Sequence, residues 1–99
     1  MTYEDYRRSL DLDTPPPGAA PLVTALWHLD KGDWHRSHEI AQAIDSADAA
    51  WVHAHLHRVE GDLWNADYWY RRAGRSRPDS SLEDERAEIV TALLGGAGR

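Results

Sequence analysis

Three histidines stand at every second position in the stretch WVHAHLHRVEGD: His53, His55 and His57. Imidazole is the commonest metal ligand among side chains, so the spacing decides which rings can act together. On a helix, residues four apart lie one above the other. His53 and His57 then share a flank about 60° wide with Glu60, while His55 points elsewhere. Val52, Leu56 and Val59 take the apolar arc of the same helix. Two imidazoles one turn apart can hold a borderline cation, and Glu60 would add an oxygen ligand one turn further on. With nitrogen and oxygen donors and no cysteine in the chain, one Zn²⁺, Cu²⁺ or Ni²⁺ ion fits, with a position open to water. The competing use of such rings is structural, as neutral imidazoles hydrogen-bonded to a neighbour or a backbone carbonyl.

Other groups compete for attention. His35 and His38 form a second pair beside Glu39 and read as a solvated face with a secondary, weak metal site. Asp33 and Asp62 are explained as helix N-caps. No nucleophile elbow, phosphate loop or dinucleotide fingerprint is present, and Gly95-Gly96-Ala97-Gly98 reads as a frayed tail. No catalytic residue is assigned: acid–base chemistry by His57 would need a substrate pocket that so small a chain hardly provides. Among five tryptophans, with no phenylalanine, Trp27, Trp51, Trp64 and Trp69 fall where helices must pack. Trp34 and Tyr68 are the rings expected to be partly exposed and open to a partner.

Ninety-nine residues make one domain. The charge of −6, from 17 acidic and 11 basic residues, disfavours nucleic acid, whose phosphates need a cationic face. Arg71, Arg72, Arg75 and Arg77 are the local exception and suit a helix C-terminus. No apolar run reaches the ~18–20 residues of a membrane span, and the polar N-terminus is no signal peptide. A cytoplasmic chain is the expectation.

The elements that must position these side chains are punctuated by proline and glycine. Thr2 to Leu10 suits a short helix, with Thr2 as N-cap and Asp5 at its third position. DTPPPGAAP (residues 13–21) cannot be helical. Residues 1–19 therefore form an arm with a proline-rich linker, its packing left open by the pattern. Residues 20–95 form the helical domain and 96–99 a flexible tail. Helices are expected near 21–31, 34–45, 49–60 and 63–73, with a fifth from about Leu82 to the Gly95-Gly96 pair and acids Glu83, Asp84 and Glu85 in its first turn.

Gly32-Asp33 recurs as Gly61-Asp62, an offset of 61 − 32 = 29 residues. Each pair suits a tight turn, glycine closing one helix and aspartate capping the next. At the same offset Ala25 matches Ala54 and His28 matches His57, so two helical hairpins repeat. His28 is thus the expected ligand from outside the third helix. The fold class is all-α, two antiparallel hairpins plus a C-terminal capping helix.

The second hairpin resembles a tetratricopeptide repeat over about Ala47 to Ser80. A small residue, Ala54, sits midway along the first helix. Ala66, Tyr70 and Ala73 follow the turn, and Pro78 closes the unit. His53 and His57 depart from the family pattern, which has an aliphatic residue and a tyrosine there. WVHAHLHR together with NADYWYRRAG also resembles short bacterial proteins of uncharacterised role. The repeat resemblance implies an interaction module or adaptor that binds a protein or peptide partner, or a second copy in a homodimer. The alternative is a divalent metal-binding protein built on His53, His57, His28 and Glu60.

Overall fold

A computed structural model describes residues 1–97, and the described chain is all-α. Six helices follow one another: α1 (Tyr3–Ser9), α2 (Pro21–Asp30), α3 (Trp34–Gln42), α4 (Ala47–Glu60), α5 (Leu63–Arg72) and α6 (Leu82–Ala97). Each start has a local cause. Thr2 and Asp5 form a reciprocal capping box on α1. Pro21 occupies the first turn of α2, where its missing N–H costs nothing. Asp33, Ser46 and Asp62 accept from backbone N–H groups at the starts of α3, α4 and α5.

The glycine corners are equivalent in backbone detail. Gly32 and Gly61 lie at φ 89° and 86°, a region that a Cβ disfavours. Across each, the aspartate N–H bonds back to a histidine carbonyl, Asp33 to His28 at 2.8 Å and Asp62 to His57 at 2.9 Å. Helices α2 and α3 pack together, as do α4 and α5, and α3 lies along α4.

Three boundaries differ from the sequence expectation. Helix α3 stops at Gln42 and α4 begins at Ala47, because Ser46 captures the Ala49 N–H at 3.0 Å and sets the start two residues early. Helix α6 runs through Gly95 to Ala97, and Gly95 keeps a negative φ. Of the expected tail, residues 96 and 97 thus belong to α6, and 98–99 lie outside the described residues.

The core lies where α2, α4, α5 and α6 meet. Leu26, Val52, Leu56, Ile89 and Val90 are fully buried there with Tyr70, each aliphatic side chain contributing about 1.5–3 kcal/mol. The N-terminal arm packs down. Tyr6 is buried, its hydroxyl donates to Asp30 at 2.5 Å, and the Trp27 indole donates to the Ser9 carbonyl at 3.2 Å. Trp64 is a correction: it is 76% exposed on the first turn of α5. The buried face of that helix is carried by Ala66 and Tyr70, and Trp64 falls on the other side. Among the described residues no helix is long and apolar enough to cross a membrane.

Candidate metal centre

Helix α4 carries His53 and His57 one turn apart, their rings stacked with centroids 4.9 Å apart. The neighbour facing them is α3, and its His38 completes the group. The Nε2 atoms of His38 and His53 lie 3.0 Å apart, one ring donating to the other. One nitrogen from each of His38, His53 and His57 falls within 4.8 Å of the others. Two nitrogens on one tetrahedral ion at about 2.0–2.1 Å would be about 3.3 Å apart, so the 38–53 pair needs little movement to share a cation.

Aromatic rings hold this trio in place. Trp34 stacks on His38 with centroids 4.9 Å apart, and its indole N–H donates to the Leu56 carbonyl at 2.7 Å. Trp69 stacks on His53 at 3.9 Å and 12°. Side chains locked by packing and hydrogen bonds position ligands better than free ones.

The protonation state suits metal binding. Burial, reinforced by the neighbouring rings of His38 and His57, lowers the His53 pKa to about 4. Burial and the nearby His57 lower that of His38 as well. Both are neutral at pH 7, the form that ligates. Glu60 does something other than expected. Its Oε1 lies 2.5 Å from His57 Nδ1. A carboxylate only accepts, so Nδ1 carries a proton, which leaves Nε2 as the nitrogen available to a cation. Glu60 therefore orients the ring, as outer carboxylates do in metal sites. Glu60 and Asp62 also form a second potential group with His57, although Asp62 spends its oxygens on Asn65.

The remaining sequence candidates lie apart. His28 on α2 packs edge-on against its neighbour Trp27, 5.2 Å between centroids, and is not one of the three clustered rings. Equivalent positions on the first helices of the two hairpins do not bring their rings together, because α3 occupies the flank of α4 that bears His53 and His57. His35 is exposed, so the pairing of His35 with His38 dissolves: His38 turns inward and His35 stays in solvent. Trp34 is half-buried and tethered, a wall of the cluster rather than a free ring. Tyr68 is 38% exposed and its hydroxyl accepts from Arg72 at 3.1 Å.

His55, set aside by its direction, anchors a buried polar network. Its Nδ1 donates to Glu85 at 2.6 Å, and its Nε2 accepts from Arg86 at 3.1 Å. Glu85 also accepts from Arg58 at 3.0 Å and from the Tyr70 hydroxyl at 2.6 Å. Burial alone would raise the Glu85 carboxyl, but the hydrogen bonds from His55, Tyr70 and Arg58 outweigh it and hold the pKa below the ordinary value. The acids of the α6 first turn thus divide: Glu83 and Asp84 are exposed, and Glu85 is buried. Their identical chemistry and adjacency leave only helix phase to separate them.

Three of the four arginines at the end of α5 and beyond it are also individually engaged. Arg72 lies over Trp69, Arg75 stacks on Trp51 at 3.4 Å, and Arg77 pairs with Asp67 at 3.0 Å. No family model matches the chain, and neither the curated proteins nor the solved structures provide a match.

Proposed function

We propose that this chain binds one divalent transition-metal ion through His38, His53 and His57. The observation that carries the reading is the convergence of three ring nitrogens, all within 4.8 Å, from two helices. An all-nitrogen donor set of borderline softness favours Zn²⁺, Cu²⁺ or Ni²⁺ over Mg²⁺ or Ca²⁺. Three protein ligands leave a fourth position for water or an exchangeable ligand, whereas structural zinc sites close with four. Glu60 supports the site through His57 Nδ1.

Calorimetric titration of untagged protein with ZnCl₂ tests this. Wild type is expected to bind one ion per chain. His38→Ala, His53→Ala and His57→Ala are each expected to lose stoichiometric binding with helicity kept. Glu60→Ala is expected to bind about ten-fold more weakly, the range for removing an outer hydrogen-bond partner. Unchanged titration curves for the three alanine variants would refute the assignment.

A second reading rests on a separate observation. Trp64 and Tyr68, one turn apart on α5, are both exposed, and exposed aromatics are enriched where proteins meet. A partner or a second copy would dock there rather than on Trp34. Trp64→Ser is expected to weaken self-association, measured by sedimentation equilibrium, without changing metal content. Identical profiles for wild type and variant would remove the self-docking reading.

A further inference from the structure

Gly74 takes φ 75°, and the Arg75 N–H bonds back to the Tyr70 carbonyl at 2.8 Å, so the chain turns over at the end of α5. Arg75, Ser76 and Arg77 thereby come to lie beside Asp67 and Arg71 of that helix. Together with Tyr70 they line one cleft of about 310 Å³. The macrodipole of α5 accounts for Arg71 in its last turn, but not for Arg75 and Arg77, which lie beyond the C-cap Ala73. Three guanidinium groups against one carboxylate give the cleft a charge of +2, in a chain whose formal charge is −6. Gathering like charges in one place is by itself unfavourable.

Two of the three cations are held in fixed poses. Arg75 lies over Trp51, 3.4 Å from the ring centre, which occupies the face of its guanidinium and leaves the N–H edge as donor. Arg77 meets Asp67 through Nε at 3.0 Å, so its two terminal nitrogens remain for another acceptor. Arg71 is exposed and makes no ion pair or side-chain hydrogen bond with any described residue. Planar forks of this kind match the oxygens of a phosphoryl group two at a time. A phosphate monoester carries about −1.5 to −2 charge at pH 7, which balances the cleft. The Ser76 hydroxyl lies on the same lining and adds a donor, whereas the Tyr70 hydroxyl is spent on Glu85. We propose that this cleft binds the phosphoryl group of a small phosphate monoester, held by Arg71, Arg75 and Arg77. Its volume lies at the low end for ligand sites, which suits a phosphate with a short organic tail. The site shares no residue with the three histidines and needs no metal.

The test is calorimetric titration of metal-free, untagged protein with methyl phosphate, followed in parallel by amide NMR. One equivalent is expected to bind, with the largest amide shifts between Gly74 and Arg77. Arg71→Gln and Arg75→Gln are each expected to weaken binding about ten-fold or more, the usual loss for a hydrogen bond to a charged group. Arg75→Lys keeps the charge but loses the fork and the stacked plane, and should weaken binding about as much. Sodium acetate, with a single charge, is expected to bind at least about ten-fold more weakly. Arg36→Gln, at an exposed arginine of α3, should leave the affinity unchanged. Full affinity in Arg75→Lys, or equal losses from Arg36→Gln and Arg71→Gln, would reduce the binding to diffuse surface charge and overturn the proposal. Amide shifts confined to other parts of the chain, or no binding at millimolar methyl phosphate, would overturn it as well.

Discussion

His38 Nε2 and His53 Nε2 meet at 3.0 Å across the interface between α3 and α4. They come from separate hairpins, so anything bound at both joins two units that at this point are otherwise held by packing and by the Trp34–Leu56 hydrogen bond. A ligand that binds only the folded chain stabilises it by about 2.7 kcal/mol at one hundred times its Kd. For a domain of this size that corresponds to a rise in Tm of about 10–20 °C. Thermal melts followed by circular dichroism should show that rise with zinc for wild type. They should show none for His57→Ala, and a rise of equal size in the variant would mean the ion binds elsewhere.

Trp34 and Trp69 stack on two of the three rings, and both should sense a quenching ion. Titration with Cu²⁺ is expected to lower tryptophan fluorescence, saturating at one equivalent. Trp34→Phe and Trp69→Phe should each remove part of the quenched signal, whereas Trp64→Phe should leave it whole. Quenching carried by the exposed Trp64 would instead point to surface binding.

Acid should weaken the metal-free fold earlier than its carboxylates alone would. The unfolded chain takes up a proton at His53 near the ordinary pKa of 6.5, but folded His53 resists until about 4. Between these values the unfolded state binds more protons, so stability falls as pH falls from about 6.5, by on the order of 3 kcal/mol in total. Glu85, lowered in the fold, adds stability above its ordinary 4.5 that disappears as pH drops below it. Chemical denaturation at pH 7.5, 5.5 and 4.5 measures this. His53→Gln should flatten the limb between 6.5 and 4.5, and an undiminished limb in that variant would show that other groups cause it.

Glu85 and Glu83 offer a direct contrast, two residues apart on one helix. Glu85→Ala leaves His55, Arg58 and Tyr70 without their shared acceptor and is expected to cost about 3–5 kcal/mol. Glu83→Ala, at an exposed site, should stay within about 0.5 kcal/mol. Urea denaturation of both settles whether the acid at 85 acts through the buried network, and equal small losses would contradict that.

Local structure was largely legible from residue types. Thr2 with Asp5, Pro21, and the two glycine–aspartate corners each carry a conformational demand that few other residues meet, and each sits where that demand arises. The misread positions depend on which neighbour covers a face. The residue pattern puts His38 with His35 on a solvated face, and only the packing of α3 along α4 turns it toward His53. The same limit explains His28, whose kinship with His57 is one of register along the chain, not of proximity. Glu85 and Trp64 reverse the ordinary expectation for a carboxylate and an indole. A donor trio from α4 and α5 makes the first burial favourable, and the smaller Ala66 takes the interior place near the second.

The most direct measurement is native mass spectrometry of untagged protein with one equivalent of zinc, on wild type, His38→Ala and His28→Ala. One ion should remain on wild type and on His28→Ala, and none on His38→Ala. Retention by His38→Ala together with loss from His28→Ala would contradict the account.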